Sequence, residues 1–452
     1  MQVRSATGYV ILWTWAAAVT TTFFCYGAEP PPAGDLPELG KVIRTFLDKD
    51  YAYLDALYKH LHANPELSFQ EVQTAQRLAK EMRQLGFEVT ENVGKTGLVC
   101  VFKNGPGPVV MVRTDMDALP IVERTGLPYA SQVRVRNAEG REVGVMHACG
   151  HDVHMTCWVG TARVLVHLKD RWKGTLLFIA QPAEEIGGGA RAMIEDGLFT
   201  RFPKPDYALA LHCDGQAPCG TVSYTEGPSL ANADAVDIIV RGKGGHGAAP
   251  HQAIDPIVIA ARIILDLQTI VSRETDPLDA VVVTVGSIHG GTKHNIIPSE
   301  VHLQLTVRTF KDATRKHVLE AIERIAKAAA HAARAPEPIV RVNPGEFTPS
   351  LVNDVPLTRR TVAALKSVLG EDKVVPRPPV MGAEDFSRYA QAGVPICMFR
   401  IGTVEPERVE EAQKGGRPLP SLHSDEYYPI PEPTIKTGVL ALSTAVLNLL
   451  GR

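Results

Sequence analysis

The stretch MHACGHDVHMT, residues 146–156, gathers three histidines, a cysteine and an aspartate. Thiolate and imidazole are ligands that zinc and its first-row neighbours favour. Cys149 and His151 form a Cys-x-His pair, which is weak by itself because buried cysteines and helix-face histidines are common. Further chemistry-bearing residues lie downstream. QPAEE sets the adjacent carboxylates Glu184 and Glu185 after the apolar run TLLFIA and before a glycine-rich turn. His212 ends the apolar run ALALHC, and His423 lies in the loop LHSDEYYP. Taken singly, the glutamates read as solvated charge and each histidine as a hydrogen-bonded structural residue. Four separate deliveries of ligand-type side chains to strand ends point instead to a metal centre.

Those deliveries require a scaffold that brings distant segments together. Apolar periodicity predicts a helix from about Leu36 to His62, stopped by Asn64-Pro65, and a second helix stopped by Gly86. TGLVCVFKNGPGPVVMVRTDMDALP reads as a strand pair around a Gly-Pro turn, its second member ending in Asp115 and Asp117. Helix 153–168, strand 174–181, helix 188–197 and strand 206–212 alternate, the mark of an α/β sheet. Ligands collect at the C-terminal ends of strands in such sheets. From about 232 to 342 the order becomes strand 234–241, helix 253–271, strands 280–288 and 301–308, helix 312–331 and strand 338–342. That is the β-α-β-β-α-β order of a ferredoxin-like unit. A helix near 354–369, the strand PICMFRIG and an apolar helix near 433–450 return to the first unit. The expected fold is an α/β/α sandwich with a mostly parallel sheet, interrupted by an inserted ferredoxin-like α+β unit.

The chain has 452 residues, more than one hydrophobic core usually serves. With 47 Lys+Arg against 50 Asp+Glu, the net charge of -3 gives no electrostatic case for nucleic acid or an anionic membrane. A small-molecule or peptide partner fits better. The N-terminus starts MQVR, continues with an apolar run ending in small residues, and passes into the proline-rich EPPPAGDLPELG. This reads as a secretory signal peptide over 1–28, with a membrane anchor as the alternative, followed by a linker over 29–45. The expected location is therefore outside the cytoplasm, periplasmic or extracellular. Seven cysteines form no dense disulfide framework. Cys100, Cys157 and Cys397 sit in apolar contexts as core thiols, and Cys213 with Cys219 is a candidate pair.

The motifs LHANPELSFQE, RTDMDALP, MHACGHDVHMT, QPAEE, GKGGHGAAPH, HNIIP, VRTF, MGAEDF and LHSDEY occur in this order from about Tyr53 onward. Together they resemble the two-metal amidohydrolase and carboxypeptidase family of aminoacylases and carboxypeptidase G, most closely its hippurate hydrolase and auxin-conjugate hydrolase branch. The resemblance implies a catalytic unit in two parts, 46–228 and 346–452, around a lid or dimerisation unit over 229–345. It also implies two divalent ions, Zn, Mn, Co or Ni. Cys149 would bridge them, with Glu185 and His423 completing one site and His151 and His212 the other. Glu184 would be the general base toward metal-activated water. Asp117 and Asp115 would orient ligand histidines, or else simply end a strand. His147, Asp152 and His154 carry no assigned role.

In the same way, His246 in GGHGAAPH resembles a histidine that stabilises the transition state, often across a dimer. Asn295 and Arg308 resemble residues that grip a substrate carboxylate, a task suited to a guanidinium fork. Arg308 could also pair with a carboxylate of the lid. Glu384 and Asp385 would support the site. The implied activity is hydrolysis of N-acyl amino acids of hippurate or N-acetyl type, with a metallo-carboxypeptidase or dipeptidase as the alternative. The implied assembly is a homodimer or higher homo-oligomer through the inserted unit. Two readings from other classes compete: a cysteine hydrolase with Cys149 as nucleophile, and a noncatalytic metal- or solute-binding protein on the same scaffold.

Overall fold

The computed structural model of the chain describes residues 35–136 and 140–451. The run read as a signal peptide, residues 1–28, lies outside the described residues, as does the start of the linker assigned to 29–45. The remainder of that linker needs correction, because the first helix already begins at Leu36 and runs to Ala63. Leu36, Leu39, Ile43 and Leu47 recur at helical spacing and are buried, so packing draws the segment into the helix. Among the described residues no helix is long and apolar enough to cross a membrane.

Among the described residues, eight strands form the central sheet. In spatial order they are Glu88–Val93, Gly97–Asn104, Gly174–Gln181, Val109–Asp115, Tyr207–Pro218, Ile396–Val404, Val222–Tyr224 and Val374–Pro376. Gly174–Gln181, Val109–Asp115, Tyr207–Pro218 and Ile396–Val404 are mutually parallel. Their side chains alternate between two cores: Leu176, Phe178 and Ala180 enter one, while Leu177 and Ile179 enter the other. Burial on both faces explains why these strands read as continuous apolar runs. The first core packs under the helices Leu36–Ala63, His151–His167, Val355–Leu369 and Pro431–Leu449. The second packs under short helices carrying Ala190, Met193, Leu198 and Tyr389. Each large side chain so buried contributes about 1.5–3 kcal/mol.

The expected pairing around the Gly-Pro turn does not occur. Gly174–Gln181 lies between the two runs, antiparallel to Gly97–Asn104 and parallel to Val109–Asp115. The helix His151–His167 supplies the crossover from Val109–Asp115 to Gly174–Gln181, and the pair forms across it rather than across the turn.

The inserted unit has the expected order. Its antiparallel sheet runs Val282–His289, Glu300–Arg308, Asp234–Arg241, Ile339–Val342, with the helices Pro256–Thr269 and Asp312–Ala332 on one face. Val301, Leu303, Leu305 and Val307 are buried while the residues between them are exposed or half-buried, matching the alternation of VHLQLTVRTF. The described cysteines are all free, so Cys213 and Cys219 do not pair. Cys213 is buried in the main core beneath the site, where its thiol lies against the Gly150 carbonyl at 3.7 Å.

Candidate metal centre

Three parallel strands end on one side of the sheet and deliver the candidate ligands there. Val109–Asp115 leads into Asp117, Gly174–Gln181 into Glu184 and Glu185, and Tyr207–Pro218 carries His212. Cys149 and His151 flank Gly150, which opens the helix His151–His167 in a left-handed conformation with φ 80°. A Cβ there would stand 2.8 Å from the Cys213 sulfur, so only glycine fits. His423 comes from the loop before the last helix and is itself left-handed, with φ 68°. Its backbone N–H donates to the Ala148 carbonyl at 2.9 Å, which ties that loop to the Cys149 turn.

The ligand atoms of Cys149, His151 and His212 lie within 4.8 Å of one another, and so do those of Cys149, Glu185 and His423. Cys149 is common to both sets. The Cys149 sulfur stands 3.6 Å from His212 Nε2, Glu185 Oε2 3.5 Å from His423 Nε2, and Glu185 Oε1 3.8 Å from His151 Nε2. Both His151 Nε2 and Glu185 Oε1 are buried with no hydrogen-bond partner among the described residues. Leaving two such atoms unmatched is costly, and divalent cations held by the two ligand sets would satisfy them. Burial alone would lower the His151 pKa, but Asp115, Asp117 and Glu185 outweigh it and hold it up at about 10. The surroundings favour a positive charge at this ring. Burial, then the Glu185 and Glu184 carboxylates, push the Cys149 thiol well above its ordinary range, so a cation must displace its proton to bind. A donor set of thiolate, imidazole and carboxylate fits zinc, manganese, cobalt or nickel.

The ligands are held from behind. The Asp117 carbonyl oxygen takes the His151 Nδ1 proton at 2.7 Å, leaving Nε2 as the free donor atom. Asp117 therefore orients His151 through its backbone. Its carboxylate stands 3.5 Å from the same ring nitrogen and also accepts the backbone N–H groups of Glu184 (3.0 Å) and Glu185 (3.1 Å) and the Ser68 hydroxyl (2.6 Å). Asp115 accepts from His154 Nδ1 at 2.7 Å, while His154 Nε2 accepts the Cys213 backbone N–H at 2.8 Å. With both nitrogens engaged, His154 braces the strand that bears His212. His212 in turn donates Nδ1–H to the Cys213 carbonyl at 2.7 Å. His147 is buried, and among the described residues neither of its ring nitrogens has a hydrogen-bond partner.

Glu184 shares reach with His151 and Glu185 on one side and with Glu384 and Asp385 on the other. Burial and these carboxylates push its carboxyl well above the ordinary range, with Arg113 pulling it back. Arg113 was not singled out from the sequence. It is buried and donates to Asp115 (2.6 Å), Glu384 (2.8 Å), Asp385 (3.2 Å) and Gln181 (3.0 Å). Its signal was a lone cation inside the apolar strand VVMVRTD, since a charge there must be paired. Glu71 was also missed. Its carboxylate accepts the N–H groups of Phe69 (2.9 Å) and Ala183 (2.8 Å), both left-handed residues, and so pins the strained turn ahead of Glu184.

A cavity of about 900 Å³ opens over the centre, lined by Cys149, Glu184, Glu185, His212, His423 and Arg308 among others. Arg308 reaches it from the inserted unit, and its Nε donates to Thr306 Oγ1 at 3.1 Å rather than to a lid carboxylate. His246 and Asn295 do not line it. Both are exposed on the inserted unit, close together because Gly247 N–H donates to the Asn295 carbonyl at 2.9 Å.

Behind the centre, His62 is buried and bonded to Asp152 (2.6 Å) and Glu123 (3.0 Å). Burial would lower its pKa, but these two partners outweigh that and hold it up at about 9. His62 has a folded pKa above its ordinary 6.5, so its contribution is complete below pH 6.5 and is lost as pH rises through 9. Burial works against the Asp152 and Glu123 charges, but the hydrogen bond from His62 holds both pKa values down, so theirs is lost as pH falls. Thermal melts at fixed metal should peak between about pH 5 and 6.5. His62→Gln should flatten the decline above that window; an unchanged alkaline limb would assign it to other groups.

The sequence profile of peptidase family M20/M25/M40 matches residues 111–414, and the chain belongs to this family. A thermostable carboxypeptidase 2 of Saccharolobus solfataricus is 37% identical over 387 residues, covering 85% of this chain and 92% of that protein. The hippurate hydrolase of Campylobacter jejuni is 38% identical over 336 residues, 73% of this chain and 83% of its own. The crystal structure of a dinuclear metal-binding peptidase of family M20 from Bacillus subtilis superposes with a TM-score of 0.70 at 30% identity. The match spans 91% of this chain and 100% of that one.

Proposed function

We propose that this chain is a dinuclear metal-dependent amidohydrolase that cleaves the amide bond of N-acyl amino acids. The observation that carries this reading is the sharing of Cys149 between two ligand sets, with His151 Nε2 and Glu185 Oε1 buried and unpartnered beside Glu184. Cys149, His151 and His212 would hold one ion, and Cys149, Glu185 and His423 the other. Such ions, when bound, make water acidic enough to attack near neutral pH and polarise the amide carbonyl. Glu184 takes the proton of the attacking water on a carboxylate oxygen and passes it to the leaving amine nitrogen. Arg308 pairs with the substrate's free carboxylate at the wall of the cavity formed by the inserted unit. Movement of that unit closes the cavity and excludes solvent.

His246 and Asn295 stand outside this chain's own cavity, so we assign them to the site of a neighbouring copy in a homodimer built through the inserted unit. The apolar N-terminal run supports export of the chain.

The test is a metal-stripped preparation reloaded separately with Zn, Mn, Co and Ni and assayed on N-acetyl and N-benzoyl amino acids, dipeptides and N-blocked peptides. The expected result is loss of activity on chelation, recovery with at least one ion, and preference for the N-acyl amino acids. Chelator-resistant turnover abolished by thiol alkylation would instead favour Cys149 as a nucleophile. The similarity to a carboxypeptidase keeps a second reading, release of C-terminal residues from N-blocked peptides, which the same panel distinguishes.

A further inference from the structure

Among the described residues, the cavity is lined by three arginines, and only one of them is neutralised by an ion pair. Arg377 forms an ion pair with Asp214. Among the described residues, Arg308, the last residue of the strand Glu300–Arg308, hydrogen-bonds through its guanidinium only to the Thr306 hydroxyl. Arg400 lies on the strand Ile396–Val404 of the central sheet, in register with His212 on the neighbouring strand. Its side chain is half-buried and lines the cavity, and among the described residues no hydrogen bond or ion pair engages its guanidinium. Burial and the adjacent Arg377 both work against its charge, only partly offset by Glu384 and Cys149. Glu384 is itself committed to Arg113 at 2.8 Å. Glu346, a carboxylate on the cavity wall, accepts from the Asn343 amide at 2.6 Å.

A half-buried guanidinium without a counter-ion is an unfavourable arrangement unless a ligand completes it. One substrate carboxylate matches one of the two open arginines. Arg308 and Arg400 reach the cavity from different units, one from the lid and one from the sheet beside His212. A single carboxylate held by the first leaves the second unmatched. The cavity, about 900 Å³, has room for more than a small N-acetyl amino acid.

We propose that Arg400 forms a second anion subsite, and that the preferred substrates are amides bearing two carboxylates, one held by Arg308 and the other by Arg400. This rests on the amidohydrolase reading and narrows its substrate class. The second carboxylate can come from the amino acid side chain, as in N-acetylglutamate, or from the acyl tail, as in N-succinyl-leucine. The guanidinium fork binds either source in the same bidentate way.

The test compares kcat/KM of the metal-loaded protein for N-acetyl-leucine, N-acetylglutamate and N-succinyl-leucine. At least one dicarboxylate should exceed N-acetyl-leucine by tenfold or more, and the one that does shows on which side of the amide Arg400 lies. In Arg400→Gln the dicarboxylate-to-monocarboxylate ratio should fall at least tenfold, chiefly through KM, and Arg400→Lys should recover part of it. Calorimetric binding of glutarate against butyrate gives a readout independent of turnover, with glutarate expected at least tenfold tighter and that margin lost in Arg400→Gln. Equal use of the three amides by the native protein, or a preference that survives in Arg400→Gln, overturns the proposal and leaves the amidohydrolase reading intact. If none of the amides is cleaved, that reading fails, and the glutarate margin alone decides whether the subsite exists.

Discussion

Replacing Glu184 by Gln is expected to lower kcat by about 10²–10⁴-fold while leaving two ions per chain and the melting temperature nearly unchanged. The substitution keeps the shape of the side chain and leaves untouched the Glu184 backbone N–H that Asp117 accepts at 3.0 Å. The turn should therefore hold its place. What is removed is a carboxylate that can accept a proton. Burial and the carboxylates of Glu384, Glu185 and Asp385 push the Glu184 pKa well above the ordinary range, the direction that makes a carboxylate a better proton acceptor. Its reach to both His151 and Glu185 places it beside the ligand sets. Rates, metal content and melting should be read on one sample. Turnover within tenfold of the native protein would take Glu184 out of the chemistry, and parallel loss of metal would make it a ligand.

Arg113→Leu should destabilise the fold by about 3–5 kcal/mol. Arg113 is the buried cation shared by Asp115, Glu384 and Asp385, and removing it leaves three carboxylates clustered in the interior. Burial and Glu384 already hold Asp385 at a pKa of about 7 with Arg113 present, so part of the loss should be relieved by proton uptake. The denaturant midpoint of the variant should accordingly recover toward acid pH. Arg113→Lys should not restore stability, because one ammonium cannot reproduce the fork that reaches Gln181, Asp115 and Glu384 together. A loss below about 1 kcal/mol, the scale of an exposed pair, would show that the cluster is not held by this charge.

Much of this was legible in the sequence because both the core and the site have local signatures. Strands buried on both faces read as unbroken apolar runs, and the inserted unit announced itself through the alternation of VHLQLTVRTF. Cys149, His151, Glu184, Glu185 and His212 stood out as ligand-type side chains near strand ends or a helix start, while their roles were legible only through the resemblance of the motifs around them. Pairing was harder to read. Nothing near the Gly-Pro turn indicates that Gly174–Gln181, some sixty residues later, separates the two flanking strands. The supporting network was likewise hidden, since the partners of Arg113 come from its own strand, from Gln181 on the neighbouring strand and from residues 384 and 385. Asp117 illustrates a finer limit: its carboxylate lies 3.5 Å from the His151 ring as an acidic side chain there suggests, but its backbone carbonyl makes the shorter contact and its carboxylate also holds the Glu184 turn. His246 and Asn295 matched a motif, but the inserted unit carries them away from this chain's cavity.

The most direct measurement is anomalous diffraction from crystals loaded with one transition metal, recorded at that metal's absorption edge. Two peaks are predicted per chain, one among Cys149, His151 and His212 and the other among Cys149, Glu185 and His423, with the sulfur contacting both. A map without peaks at these residues after loading, or with a single ion that Cys149 does not touch, would contradict the account.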